Sequence, residues 1–217
     1  MNIEHRELDI QAGTLSLPGI LALPSPARGI VVFAHGSGSS RFSSRNRFVA
    51  DLLNRAGLAT LLFDLLSAEE HEVDQFTREY RFDIPRLGDR MTATVDWLKS
   101  QADLGVLSLG LFGASTGAAA ALIAAAARPV EVAAVVSRGG RPDLAAASLP
   151  LVQAPTLFIV GGLDGPVIDL NRGAAGRLRC EHHMEIVPGA THLFEEPGTL
   201  EQAAGHARDW FVKYLSS

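Results

Sequence analysis

A serine between two glycines is the first feature of the chain that points to chemistry. Residues 113–117 read Gly-Ala-Ser-Thr-Gly, a G-x-S-x-G sequence that follows an apolar run and opens an alanine-rich stretch. A strand-to-helix turn this tight requires small residues on both sides of the serine, because the backbones around it nearly touch. It also places the serine at a helix N-terminus, where the helix dipole favours developing negative charge. Ser115 is therefore a candidate nucleophile, and the alternative is a serine N-cap flanked by packing glycines.

A serine hydroxyl is a weak nucleophile unless a histidine takes its proton and a carboxylate orients that histidine. Asp164 follows one of the later apolar runs, and His192 follows the next one. The chain order Ser, Asp, His is the order found in α/β-hydrolases. Taken separately, Asp164 would be a turn residue that caps a helix and His192 a surface loop residue. Taken together with Ser115, they predict a catalytic triad.

The predicted nucleophile also needs hydrogen-bond donors for a developing oxyanion. Residues 35–40, His-Gly-Ser-Gly-Ser-Ser, directly follow the first long apolar run. In an α/β-hydrolase the loop at this position supplies one backbone N–H, and the residue after the nucleophile supplies the other. We therefore predict Ser37 and Thr116 as the oxyanion donors. Gly-x-Gly after a first strand also begins a dinucleotide fingerprint, but Arg41 stands where its third glycine belongs, so nucleotide binding is the weaker alternative.

Two further side chains, His35 and Arg138, are predicted to contact the substrate, because each follows a predicted strand at the catalytic edge of the sheet. An arginine at this edge can hold a substrate carboxylate through two parallel hydrogen bonds. Arg41, Arg45 and Arg47 follow the predicted oxyanion loop and could act in the same way. The alternative for these arginines is ion pairing with acidic residues near the same edge.

The sequence predicts no metal site and no cofactor. Cys180 is the only cysteine, so neither a disulfide nor a CxxC site can form within the chain. The pairs His71-Glu72 and His182-His183 lack the His-x-x-x-His spacing that places two ligands on one face of a helix. The predicted triad requires none, since serine, histidine and aspartate carry out acyl transfer unaided.

The elements that must position these residues can be predicted from the hydrophobic pattern. After an antiparallel hairpin within residues 3–24, apolar runs of four to eight residues alternate with segments of helical length. Buried parallel strands have this pattern because helices cover both faces of the sheet. We predict strands at residues 30–34, 58–63, 106–112, 132–136, 156–160 and 184–187, and helices at residues 44–56, 84–100, 115–128, 167–178 and 200–215.

Repeated strand–helix–strand units predict an α/β fold with a doubly wound, mostly parallel sheet and helices on both faces. Residues 67–85 are charged and irregular in pattern, and we expect them to form a surface loop. Neither this segment nor residues 139–155, which two prolines interrupt, is long enough for an independently packed cap domain. The carboxyl ends of the strands should therefore be roofed only by loops.

Six segments of the chain, taken in order, resemble the dienelactone hydrolase-like group of small α/β-hydrolases. They lie within residues 28–198 and read HGSGSSRFSSRN, LLFDLL, GLFGASTGAAAAL, VSRGGRPD, VGGLD and PGATHLFEEPG. The resemblance implies the α/β-hydrolase fold, a triad of Ser115, Asp164 and His192, and little or no cap domain. Dienelactone hydrolases proper carry cysteine where this chain has Ser115, so general carboxylic-ester hydrolysis is favoured over dienelactone hydrolysis.

Length and composition exclude several other classes. The chain has 217 residues, of which 47% are hydrophobic and 20% charged, as expected for one folded domain spanning residues 1–217. Its formal net charge of −5 disfavours nucleic acid as a partner. No uncharged run is long enough to span a membrane, and the charged N-terminus does not read as a signal peptide, so we expect a cytoplasmic protein. The sequence does not indicate an oligomeric state.

These observations predict a serine hydrolase that cleaves small carboxylic esters through an acyl-enzyme. The expected partner is a small-molecule ester. Alternatives on the same site are a thioesterase, a lactone or dienelactone hydrolase and an acyltransferase. A different class, a non-catalytic binding protein on a hydrolase scaffold, also remains open because a fold does not fix a function.

Overall fold

A mixed eight-stranded sheet lies at the centre of the protein. The computed structural model describes residues 2–215. Its strands are β1 (Asn2–Ala12), β2 (Leu15–Ser25), β3 (Ile30–Ala34), β4 (Ala59–Phe63), β5 (Leu109–Ala114), β6 (Val132–Arg138), β7 (Thr156–Gly161) and β8 (His182–Val187). They lie in the order β1-β2-β4-β3-β5-β6-β7-β8. The first two strands form an antiparallel hairpin at one edge, and the other six are parallel to one another.

Six α-helices accompany the sheet within the described residues. They are α1 (Ser44–Arg55), α2 (Ala68–Thr77), α3 (Ile84–Ser100), α4 (Thr116–Ala127), α5 (Gly165–Ala175) and α6 (Thr199–Leu215). Helices α1 and α6 pack on one face of the sheet, and α3, α4 and α5 pack on the other. Because apolar side chains cover them from both sides, the residues of β3, β4, β5 and β7 are all buried. The predicted doubly wound α/β fold is confirmed.

Residues 67–85 differ from the expectation of a surface loop, because they contain helix α2. Ser67 forms a reciprocal capping box with Glu70, in which the Ser67 side chain accepts from the Glu70 N–H and the Glu70 carboxylate accepts from the Ser67 N–H. Glu70 also pairs with Arg90 on α3 at 2.7 Å. This pair ties the start of α2 to α3, so the segment is a short anchored helix.

One strand begins later than the apolar pattern predicted. The run that starts at Val106 was expected to be a strand from its first residue, but β5 begins at Leu109. Val106 is 83% exposed and lies in a turn that follows Gly105. An apolar run therefore marked the strand correctly but not its first residue.

The described part of the chain, residues 2–215, has no cap domain over the carboxyl edge of the parallel strands. Residues 139–155 contain only two short 3₁₀ turns, Pro142–Ala145 and Leu149–Leu151. Helix α2 is the longest helix inserted on this side, and it has 10 residues. None of the helices within residues 2–215 combines the length and the hydrophobicity that a membrane span requires.

Candidate active site

The predicted site residues meet at one edge of the sheet. Ser115 directly follows β5, Asp164 lies three residues after β7, and His192 lies five residues after β8. His35 directly follows β3, and Arg138 is the last residue of β6. Because carboxyl ends of parallel strands share one edge, the strand order brings together residues that are far apart in the sequence.

Ser115 occupies a strained backbone conformation at the turn between β5 and α4. Its φ is 52° and its ψ is −123°, which is unusual for a residue with a side chain. Such a conformation costs about 1–3 kcal/mol and persists only where the surrounding structure enforces it. The neighbouring loop enforces it here, because the Ser115 N–H donates to the Arg138 carbonyl at 3.3 Å and the Arg141 N–H donates to the Ser115 carbonyl at 3.0 Å.

The two glycines of the G-x-S-x-G sequence are required by close backbone approach. A Cβ added to Gly113 would lie 2.4 Å from the Ala118 Cα, and one added to Gly117 would lie 2.2 Å from the Ala34 carbonyl oxygen. Both distances are far shorter than any van der Waals contact. The requirement for small residues on either side of Ser115 therefore has a direct structural cause.

Neither Ser115 nor Asp164 acts as a helix cap through its side chain. Ser115 occupies the N-cap position of α4 and Asp164 that of α5, yet neither side chain forms a capping hydrogen bond. The Asp164 carboxylate instead accepts a hydrogen bond from Nδ1 of His192 at 2.7 Å. The capping alternatives are thus disfavoured, and the carboxylate fixes the imidazole tautomer with its proton on Nδ1.

His192 is presented from a loop that polar contacts hold in place. The side chain and the N–H of Thr191 both bond to the Glu196 carboxylate, at 2.6 Å and 3.0 Å. The His192 side chain is 38% exposed, whereas that of Asp164 is 13% exposed. His192 and Ser115 line the same cavity of about 260 Å³. The Asp164 carboxylate therefore orients the imidazole through its Nδ1, and the ring is exposed to the cavity that Ser115 lines.

The predicted oxyanion donors lie beside Ser115. A Cβ added to Gly36 would be 3.1 Å from the Ser115 Cβ, so the loop after β3 passes directly over the serine. Within the described residues the Ser37 N–H has no hydrogen-bond acceptor, and Thr116 begins α4, where the helix leaves its N–H without an intrahelical acceptor. Both predicted donors are thus without a backbone acceptor among the described residues, and Ser37 lines the same cavity as Ser115.

The structure gives His35 a different role from the predicted substrate contact. Its side chain lines a cavity next to the site, but both ring nitrogens are already engaged by backbone. Nδ1 lies 2.8 Å from the Gly36 carbonyl oxygen, and Nε2 accepts the Leu65 N–H at 3.1 Å. The ring therefore connects residues 35–40, the predicted oxyanion loop, to the segment that follows β4. Burial lowers the pKa of the His35 imidazole, so the ring is neutral at neutral pH.

This burial makes the stability contribution of His35 depend on pH. Because the folded protein binds a proton at His35 less readily than the unfolded chain, stability is lost as pH falls below about 6.5. We expect His35→Leu to be destabilised by about 1–3 kcal/mol at pH 7.5, since leucine offers no acceptor to the buried Leu65 N–H. The variant should also lose less stability than the parent between about pH 7.5 and 5.5. Urea unfolding at both pH values measures this difference, and equal losses in the two proteins would contradict it.

The three arginines after the oxyanion loop behave differently from one another. Arg41 pairs with Asp64, which accepts from the Arg41 backbone N–H at 2.6 Å and also from its guanidinium. Arg47 is exposed on α1. Arg45, in contrast, lines the same cavity as Ser115. The ion-pair alternative therefore holds for Arg41. Arg45 also lies 3.8 Å from the exposed Glu195 carboxylate, but because it lines the cavity it is still a candidate contact for substrate.

A larger cavity, of about 540 Å³, adjoins the one that contains Ser115. The two share Gly36, Ser37 and Ser39 of the oxyanion loop. Thr116, the end of β4 and helix α2 line the remainder. The wall formed by α2 was not predicted from the sequence, although the Ser67-x-x-Glu70 capping pattern would have been the signal for it.

No group of three or more histidine, cysteine or acidic side chains within residues 2–215 is arranged to hold a metal ion. A serine, an imidazole oriented by a carboxylate and the guanidinium groups of Arg45 and Arg138 lie together at this edge.

Comparison with known proteins bears on this arrangement. The family model described as the dienelactone hydrolase family matches residues 17–215. The chain belongs to the dienelactone hydrolase family. A crystal structure of dienelactone hydrolase from Anabaena variabilis is 53% identical, covers 99% of this chain and 100% of its own, and superposes with a TM-score of 0.98. Membership of this family supports hydrolase activity and confirms the resemblance seen in the sequence.

Two other similar proteins extend the comparison. Est1E from Butyrivibrio proteoclasticus shares the fold, with a TM-score of 0.80 over 95% of this chain and 98% of its own, at 15% identity. A Mycobacterium tuberculosis protein provisionally named a phosphoribosyl transferase is 54% identical over 213 residues, which is 98% of this chain. The match covers 47% of that protein, so the chain spans about half the length of the curated relatives it matches.

Proposed function

We propose that this member of the dienelactone hydrolase family is a serine hydrolase of small carboxylic esters. Ser115 attacks the ester carbonyl while His192 takes its proton, and His192 then gives that proton to the departing alcohol. Asp164 holds the imidazole in the tautomer that this exchange requires. The N–H groups of Ser37 and Thr116 stabilise the tetrahedral oxyanion, and water then hydrolyses the acyl-enzyme by the same steps.

One observation carries this proposal. The Asp164 carboxylate occupies a capping position yet bonds to His192 Nδ1 at 2.7 Å, while Ser115 is held at a strained φ in the cavity that His192 lines. Backbone strain of this size, about 1–3 kcal/mol, is typical of active sites, ligand clamps and switch regions. Together the oriented imidazole and the strained serine are the parts that activate a serine hydroxyl.

The name phosphoribosyl transferase belongs to relatives about twice as long as this chain. The part of those relatives that matches this chain corresponds to the residues for which we propose a serine hydrolase site. We therefore propose ester hydrolysis for this part, with the transferase name tested directly beside it.

A substrate panel tests the proposal. An aryl acetate, the corresponding thioacetate, a lactone and a phosphoribosyl donor with a nucleobase are each supplied to the protein, and product release is followed. We expect the highest kcat/KM for the aryl ester. Release of pyrophosphate with no ester turnover would contradict the proposal. Faster turnover of the thioester or of the lactone would instead assign the protein to the thioesterases or to the lactone hydrolases.

The cavities also set an expectation for acyl-chain length. Within residues 2–215 no cap domain covers the site, so the cavities are open to solvent and the far end of a long acyl chain would stay exposed to water. Each buried CH₂ contributes about 0.8 kcal/mol, so kcat/KM should rise only while added methylenes are enclosed. We expect a maximum at about C2 to C6 and a fall beyond it. A series of p-nitrophenyl esters from acetate to palmitate measures this, and a maximum at the longest chains would contradict it.

A further inference from the structure

Arg138 is a buried cation that has no anionic partner among residues 2–215. Its residue is 7% exposed, and within the described residues its guanidinium donates one hydrogen bond, from Nη2 to the Asn46 Oδ1 at 3.3 Å. Its Nη1 is buried and has no hydrogen-bond partner among the described residues. The rings of Phe112 and Phe194 lie 5.8 Å and 5.9 Å from the guanidinium carbon. Aromatic faces compensate only part of the lost hydration, so this charge remains incompletely satisfied.

The surroundings of Arg138 are positive as well. Burial and the nearby charge of Arg45 lower the pKa of Arg138 to about 10, which leaves it protonated at neutral pH. Both arginines line the smaller cavity, and no described residue that lines it is acidic. Glu195, whose side chain is 66% exposed, lies 3.8 Å from Arg45 but does not line the cavity. The Asp164 carboxylate is engaged by His192.

The N-terminus of α1 opens onto the same cavity. Ser43, Arg45 and Asn46 line it, and α1 has no acidic residue in its first turn. Ser43 accepts the Asn46 N–H, whereas the N–H groups of Ser44 and Arg45 have no intrahelical acceptor. The helix dipole adds a positive potential there. The bond between Arg138 and Asn46 fixes the buried guanidinium beside this helix end.

These donors suit a group with several anionic oxygens. A carboxylate presents two oxygens in one plane and is satisfied by one guanidinium. A phosphate monoester presents three terminal oxygens in a tetrahedral arrangement and carries close to two negative charges at neutral pH. Two guanidinium groups and a helix N-terminus match that charge and shape.

The position of the smaller cavity indicates which part of the ester substrate carries the anionic group. His192 must protonate the departing oxygen, so the alcohol leaves on the side that His192 lines. Arg45, Arg138 and His192 line the same cavity of about 260 Å³. The larger cavity, with Thr116 and α2 in its walls, shares Gly36, Ser37 and Ser39 with the smaller one and would take the acyl group.

We propose that the smaller cavity is a phosphate subsite, and that the natural substrate is an ester whose alcohol carries a phosphate monoester. This inference rests on the ester hydrolysis proposed above. Arg138 and Arg45 bind the phosphate, α1 supplies backbone donors, and the acyl group is transferred to Ser115. The phosphorylated alcohol leaves with the proton from His192, and the phosphate itself is not cleaved.

A set of matched acetates tests the subsite. The three substrates are phenyl acetate, 4-acetoxybenzoate and 4-acetoxyphenyl phosphate, and each kcat/KM is divided by the ester's own hydroxide-catalysed rate. We expect the phosphate ester to exceed the neutral ester by about 10- to 100-fold, the range of a charge-assisted contact. Equal values for all three, or a benzoate that matches the phosphate, would overturn the proposal.

Charge-removing variants on one helix provide the matched control. Arg45→Gln removes a half-buried charge from the cavity, and Arg47→Gln removes an exposed one from the same helix outside it. We expect Arg45→Gln to reduce the preference for the phosphate ester about 10-fold and Arg47→Gln to leave that preference unchanged. Arg138→Lys, which keeps the charge but loses the planar donors, should reduce it as well. Equal effects of the two glutamine variants would contradict the subsite.

Equilibrium binding separates failure of the subsite from failure of the proposed hydrolysis. The probe is phenyl phosphate, titrated calorimetrically into Ser115→Ala protein, with phenol and benzoate as comparison ligands. We expect phenyl phosphate to bind at least 10-fold more tightly than either, and Arg45→Gln to weaken it. If phenyl phosphate binds but the parent protein turns over no ester, the proposed hydrolase activity is contradicted and the phosphate subsite is supported. If the parent protein turns over esters but does not bind phenyl phosphate preferentially, the phosphate subsite is contradicted and the hydrolase activity is supported.

Discussion

Replacing Ser115 with alanine should lower kcat for an activated aryl ester by about 10⁶-fold, the loss seen when a serine nucleophile is removed from a triad. The substitution removes the atom that forms the acyl-enzyme and leaves the oxyanion donors in place. His192→Ala should cost about as much, and the double variant little more, because the two residues act as a unit.

The matched control is Ser16→Ala, which makes the same change at an exposed position on β2, far along the chain from the site. It should retain the parent activity. Initial rates of p-nitrophenyl acetate hydrolysis, with circular dichroism to establish folding, provide the measurement. Near-normal turnover by folded Ser115→Ala protein would rule out this serine as the nucleophile.

The second large effect is expected at Asp164. An asparagine at this position can donate from its amide NH₂ to Nδ1 of His192. The imidazole then carries its proton on Nε2, and Nε2 can no longer accept the proton of the serine hydroxyl. Loss of the correct tautomer lowers kcat by about 10⁴-fold in a related triad. We expect Asp164→Asn to show a loss of this size with little change in stability, because its side chain caps no helix.

Asp169→Asn provides the control for this variant. Asp169 lies on α5, five residues after Asp164, and its side chain is 80% exposed. It is the other aspartate near the predicted position of the triad carboxylate. Full activity of Asp169→Asn beside the loss in Asp164→Asn is the expected result. The reverse pattern would assign the carboxylate to Asp169.

The sequence indicated much of the site because its signals are local. The glycines around Ser115 are required by backbone contacts within a few residues and with β3, so the motif itself reports the strained turn. Asp164 and His192 could be selected because parallel strands end at one edge and the hydrophobic runs marked those ends. Helix α2 was missed because its amphipathic pattern is weak, even though its capping residues are present.

The roles of His35 and Arg138 required the structure, because they depend on contacts between distant segments. His35 accepts from the Leu65 N–H, 30 residues away, and Arg138 donates to Asn46, 92 residues away. Nothing in the local pattern distinguishes a histidine whose ring is fully engaged by backbone from one that faces a substrate. Likewise, the absence of an anionic partner for Arg138 becomes visible only once every described neighbour is placed.

The central claim is that Ser115 is a nucleophile activated by His192. Labelling with a fluorophosphonate tests it most directly, because such probes react with activated serines and form a stable covalent adduct at that residue. Peptide mapping by mass spectrometry should place the adduct on Ser115 in the parent protein, and labelling should be abolished in Ser115→Ala and strongly reduced in His192→Ala. An unlabelled parent protein, or an adduct on Ser37 or Ser39 that persists in Ser115→Ala, would contradict the claim.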